Sequence, residues 1–173
     1  TWSDKYDAYI KARLFNQKQP VNQNLLDIIS KEARLSIDKT IAGDKDYDKY
    51  HYKKKYIYPE RASAFLFWVK DKAYQQKMVD YYLSSAAKRD KFKLKELIDT
   101  EFSSLTPELR SKVVNFAKTE FEKTLAEDSP FNAANWYNFL DGKVACPELK
   151  ELNKKYIDGG KSAVFLDKKK PDC

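Results

Sequence analysis

Apolar residues recur every three or four positions along most of this chain, and the interruptions between them divide it into a series of amphipathic helices. Trp2, Tyr6, Tyr9, Ile10 and Leu14 set the first helix, with Ser3 as its N-cap and Pro20 beyond its end. Leu25, Leu26, Ile29, Ala33, Ile37 and Ile41 form one stripe on the second, which runs from about Asn22 to a stop at Gly43. Its other faces carry Lys31, Glu32, Arg34 and Asp38.

Residues 59–89 depart from this one-sided pattern. From Ala62 to Val69 every side of the helical wheel is apolar apart from Ser63, and a helix apolar all round must be enclosed by protein. This predicts a buried central helix over about 59–89. Beyond it, Ala73, Met78, Tyr81, Tyr82 and Leu83 are mixed with Lys72, Gln75, Gln76, Lys77 and Asp80, so the same helix is expected to emerge toward solvent.

Four more starts follow. Asp90 to Leu105 places Leu94, Leu97, Ile98, Phe102 and Leu105 on one face. Thr106-Pro107-Glu108 is a complete N-terminal signal, with a cap, a proline at the first helical position and an acid in the first turn. It opens a helix with Leu109, Val113, Phe116, Ala117, Phe121 and Leu125 that stops near Asp128. Ser129-Pro130 launches a shorter one with Phe131, Trp136, Phe139 and Leu140, ending at Asp141-Gly142. Cys146-Pro147-Glu148 opens the last, with Leu149, Leu152 and Tyr156, before Gly159-Gly160. Ser162 to Asp167 is too short for a helix of its own and is expected to lie extended, and residues 161–173 form a C-terminal tail.

One segment fits no helix. Residues 44–58, DKDYDKYHYKKKYIY, hold five tyrosines, five lysines and the only histidine. Tyr50-His51-Tyr52 and Tyr56-Ile57-Tyr58 alternate as in a strand, but no second strand is evident to pair with them. We read residues 43–58 as a long Tyr/Lys-rich loop. Together these elements predict an all-α fold: an irregular single-domain bundle of about seven helices, residues 1–173, around the central helix. No segment of 20 to 50 residues recurs, which disfavours a helical solenoid.

Composition agrees with helices. Four glycines and six prolines in 173 residues, with 34% charged and 42% hydrophobic, suit long amphipathic helices better than a turn-rich sandwich. The longest apolar run is about eight residues, far short of the ~20 a membrane span requires. The chain begins at Thr1 with no signal-like apolar segment, compatible with a removed leader or with a trimmed boundary.

The cysteines bear on compartment. Cys146 precedes a proline, and Cys173 ends a lysine-rich tail where it has little packing reason to stand. A disulfide between them would close a 28-residue loop and stabilise the fold by about 3–4 kcal/mol in the chain-entropy model. It implies an oxidising compartment, so the protein is expected to be secreted or periplasmic. No Asn-x-Ser/Thr sequon occurs.

Catalytic motifs are not found. One histidine and two cysteines do not make a metal cluster, and Asp44, Asp46 and Asp48 lack the turn glycine and the twelfth-position carboxylate of a calcium loop. There is no Gly-x-Ser-x-Gly and no Gly-rich phosphate loop. A pair of carboxylates needs no motif, and Glu60, Glu101, Glu120 and Glu122 are candidates, each on a helix where a solvated face explains it more simply. The chain is expected to be no enzyme and to need no cofactor.

The net charge of +7 raises the question of nucleic acid. The charge is spread, however, and only Lys53–Lys55 and Lys168–Lys170 cluster, which makes nucleic acid or an anionic surface a third-ranked partner. Aromatic residues make up 14% of the chain. Most fill helix junctions, but Phe65, Phe67, Trp68 and Trp136 would line a cavity if the protein carried an apolar small molecule or lipid. The leading reading is an exported helical protein that binds another macromolecule, as an inhibitor, immunity-type or host-interaction factor does. Its contact surface would be Tyr47, Tyr50, Tyr52, Lys53, Lys54, Lys55 and Tyr56, tyrosines anchoring and lysines speeding encounter.

Overall fold

A computed structural model of the chain describes residues 23–44, 59–84, 91–127 and 129–158. Among them are seven α-helices, one 3-10 turn and no strand, so the protein is all-α. The helix expected from Ser3, most of the Tyr/Lys-rich segment and the C-terminal tail lie outside the described residues. The chain divides into two compact units, Thr1–Ser104 and Leu105–Cys173.

In the first unit, α1 (Gln23–Ile41) packs along α2 (Pro59–Trp68), and α3 (Lys72–Leu83) packs on both. The stripe expected on α1 is the buried one: Ile29, Ala33 and Ile37 are enclosed, with Ser36 beside them. Gly43 ends the helix at φ +65, a left-handed conformation glycine adopts without a Cβ penalty. Its N–H donates to the Thr40 carbonyl and the Asp44 N–H to that of Lys39, which satisfies two of the carbonyls left free at a helix end.

The stretch expected to form one helix over 59–89 is two. α2 ends at Trp68 and α3 restarts at Lys72, capped by Asp71, whose carboxylate accepts the Tyr74 N–H at 3.2 Å. Of the stretch expected to be enclosed, Ala62, Ser63, Phe65, Leu66 and Phe67 are buried, Trp68 and Val69 are half-buried and Ala64 is exposed. The second half differs from its polar pattern. Gln75 is buried with Met78, Val79 and Tyr82, while Ala73 is exposed. The reason is geometric: had the helix continued at about 100° per residue, the buried faces of the two halves would point roughly 170° apart. The corner turns both inward, and the Gln75 amide, carried into the interior, donates to the Phe67 carbonyl at 3.4 Å.

α4 (Lys91–Thr100) packs on α3 and α2 and is shorter than the helix expected through Leu105. The chain tightens into a 3-10 turn at Phe102–Ser104, where the Ser104 hydroxyl and N–H both donate to the Glu101 carbonyl. Pro107 holds Thr106 in an extended conformation, at ψ 156, which stops helix propagation there.

Among the described residues the second unit has three helices. α5 (Pro107–Ala126) starts as its sequence predicts, with the Thr106 hydroxyl accepting the Leu109 N–H at 3.3 Å. The Glu108 carboxyl lies below its ordinary range because its own backbone N–H and the Thr106 hydroxyl bind its charged form. α6 (Pro130–Leu140) packs against α5, and α7 (Cys146–Asp158) packs on α6. Ion pairs Lys118–Glu148 and Lys155–Glu122, the latter at 3.0 Å, join α5 to α7. The core here is Leu109, Val113, Ala117 and Phe121 from α5, Ala133, Tyr137, Phe139 and Leu140 from α6, and Leu149 and Leu152 from α7.

Candidate functional site

The contact surface expected at Tyr47, Tyr50, Tyr52, Lys53, Lys54, Lys55 and Tyr56 lies outside the described residues. What the structure describes is its mounting. The segment leaves α1 after Asp44, whose carboxylate pairs with Lys39 at 2.7 Å, and returns at Pro59, the first residue of α2. Those two helices pack on each other.

Beside that pair of helices, α1 and α3 are joined by a charged and aromatic cluster that periodicity did not single out. Arg34 and Asp38 lie one turn apart on α1, while Tyr74 and Lys77 lie one turn apart on α3, with Asp71 at its cap. Arg34 donates to the Asp71 carboxylate from Nε at 2.8 Å and from Nη2 at 2.7 Å. Asp38 receives the Tyr74 hydroxyl on Oδ2 at 2.9 Å and Lys77 Nζ on Oδ1 at 2.5 Å. The Arg34 guanidinium carbon lies 5.7 Å and Lys77 Nζ 5.3 Å from the centre of the Tyr74 ring, so a cation approaches from either helix. The sequence set Arg34 and Asp38 off the apolar stripe of α1 and Lys77 among polar residues, and it did not single out Tyr74 or Asp71. It held no signal that α1 and α3 would bring these residues together.

Burial and the hydrogen bond to the Asp38 carboxylate push the Tyr74 hydroxyl up from its ordinary value near 10 to about 12, with Arg34 opposing. It is therefore a permanent donor at neutral pH and not an acid–base group. Because the folded state holds this proton more tightly than the unfolded chain, the cluster's stabilisation is complete below pH 10 and lost as pH rises through about 12. The expected loss is about 1 kcal/mol, less than the displacement alone implies, because Tyr74 is only partly buried and water screens the network. Urea unfolding between these pH values should show the decline in the native protein and a shallower one in Tyr74→Phe. Equal slopes would place the alkaline loss elsewhere.

The residues named as a possible cavity lining fall in both units. Phe65 and Phe67 are enclosed on α2, and Trp68 is half-buried, its ring 5.8 Å from that of Phe65. Trp136 belongs to α6, where it stands edge-on to Phe116 at 5.8 Å and to Phe139 at 6.0 Å. Lys143 Nζ sits 4.5 Å from the centre of the Phe139 ring.

Of the four carboxylates considered for acid–base work, Glu60 and Glu122 are exposed, and Glu122 pairs with Lys155. Glu101 and Glu120 are half-buried in different units. Among the described residues no group of three or more His, Cys, Asp and Glu is placed to hold a metal ion. No helix among them is long and apolar enough to cross a membrane. Cys146 is half-buried at the start of α7 and is not a free cysteine, and Cys173 lies outside the described residues.

No protein-family model matches the chain, and neither a curated protein nor a solved structure matches it.

Proposed function

We propose that this is a non-enzymatic, exported helical protein that binds another protein through residues 43–58. The observation that carries the reading is the concentration of five tyrosines and five lysines in one segment strung between two helices that pack on each other. Tyrosine supplies a large, amphipathic contact surface at low cost in side-chain entropy, and loops mounted on a rigid scaffold are where such surfaces serve recognition. A basic, tyrosine-rich segment suits an acidic groove, with Tyr50, Tyr52 and Tyr56 as anchors and Lys53–Lys55 steering encounter.

The test is the combined change of Tyr50, Tyr52 and Tyr56 to alanine, followed by affinity capture from the source organism's extract and circular dichroism. Loss of a stoichiometric protein partner at unchanged helix content is the expected result. Loss of helix content would make the rings part of the fold and sink the reading. Lipid released by organic extraction would point instead to a carrier of an apolar ligand, and affinity that falls steeply with salt to nucleic acid.

Export rests on the proposed Cys146–Cys173 bridge, favoured because these are the only two cysteines and Cys146 is not free. Thiol titration of the denatured, unreduced chain should find none. Two titrating thiols would remove the argument for an oxidising compartment.

A further inference from the structure

Between Glu60 and Leu83 the sequence holds neither glycine nor proline, yet the helix breaks after Trp68. The break is made by Lys70, the one non-glycine residue with positive φ among those described, at +56. The Lys70 N–H donates to the Phe67 carbonyl and the Asp71 N–H to that of Leu66, both at 3.0 Å, the same closure that Gly43 makes at the end of α1. At Gly43 the left-handed turn is free of strain, whereas at Lys70 a Cβ crowds the following carbonyl. Apart from the Asp71 cap, nothing local demands the corner. It exists because α2 and α3 can bury their apolar faces on the same body only when the chain turns.

A short, strained hinge between packed elements, in a sequence that suits one unbroken helix, is the arrangement from which chains exchange elements. We propose that residues 69–71 are a hinge for exchange with a second copy of this chain. In the exchanged form residues 59–83 make one helix of about 37 Å. Ala62, Leu66 and Phe67 then face one way and Gln75, Met78, Val79 and Tyr82 the other, so α3 cannot fold back on its own α2. The surface that covers it is α1 and α2 of the second copy, which carry the complementary groups: Asp38 for Tyr74 and Lys77 of the incoming helix. Exchange relieves the left-handed lysine in both chains and adds helical hydrogen bonds across the former corner, against loss of the Asp71 cap.

The test uses the full chain with Lys70→Ala and Lys70→Gly. Both alter an exposed side chain. Each protein is incubated at high concentration just below its thermal midpoint, cooled, and measured by size exclusion with light scattering. Alanine favours the straight helix and glycine the corner, once per chain, so the dimer association constant should be about a thousandfold higher for Lys70→Ala, with the native protein between. Mixing a chain carrying Asp38→Cys with one carrying Lys77→Cys and treating the dimer with a short bis-maleimide should join positions 38 and 77 between chains, identified by peptide mapping. Equal dimerisation of the alanine and glycine variants, no dimer from either, or a dimer without that cross-link would each overturn the proposal.

Discussion

Replacing Phe121 by alanine is expected to destabilise the unit formed by α5, α6 and α7 by about 3–5 kcal/mol. Phe121 is fully enclosed, and its ring meets that of Tyr137 on α6 at 6.4 Å and 46°. Removing it takes away the transfer free energy of a large ring and leaves a void that the α5–α6 contact can close only in part. The loss is a large share of the roughly 5–15 kcal/mol that holds a folded domain. Two substitutions calibrate it. Phe116→Ala, at a half-buried ring edge-on to Trp136, should cost about half as much, and Phe131→Ala, at a ring 62% exposed, less than about 0.5 kcal/mol. Urea unfolding by circular dichroism measures all three. A Phe121→Ala cost no greater than that of Phe131→Ala would mean that the α5–α6 contact does not carry this unit.

The second large effect is at the corner of the first unit. Asp71 serves two purposes at once: Oδ1 caps α3 by accepting the Tyr74 N–H, and Oδ2 pairs with Arg34 of α1. Its side chain is 10% exposed and that of Arg34 50%. The cap is worth about 1 kcal/mol, and the ion pair adds less than about 1 kcal/mol because its cationic half is in water. Asp71→Ala should therefore cost about 1.5–2 kcal/mol and Asp71→Asn, which keeps a capping oxygen, less than about 1 kcal/mol. Arg34→Ala should add little in the Asp71→Asn background, because the pair is already broken. A double-mutant cycle reads the coupling directly. If asparagine proves as costly as alanine, the pair outweighs the cap.

The same corner shows where sequence reading reaches its limit. Thr106-Pro107-Glu108 was legible as a helix start because every part of the signal is local: a hydroxyl for a free N–H, a ring that fixes φ and a charge suited to the helix dipole. Gly43 was legible as a stop because only glycine turns left-handed without strain. Lys70 makes the same turn with the same hydrogen bonds and gave no sign of it. Its conformation is held by what α2 and α3 bury, which depends on residues far away in the chain. Gln75 was misread for the same reason, as a solvated residue on a helix whose phase the corner had reset. The Arg34–Asp71 and Asp38–Tyr74–Lys77 contacts lay beyond sequence reading because they span 36 to 39 positions.

By itself, then, the sequence determined the all-α class, six of the seven described helix starts to within a residue or two, and which stripe of α1 and α5 turns inward. These follow from the 3.6-residue period, from capping chemistry and from the scarcity of glycine and proline, all of which act within a few residues. Only the tertiary structure decided that the apolar stretch after Pro59 is two helices, that Gln75 is interior, and that α1 and α3 are clasped through Asp38 and Asp71. Periodicity states that a face will be buried, but not against what. That choice is made by packing between distant segments, and where the packing required it, a lysine was bent into a conformation its own neighbours did not ask for.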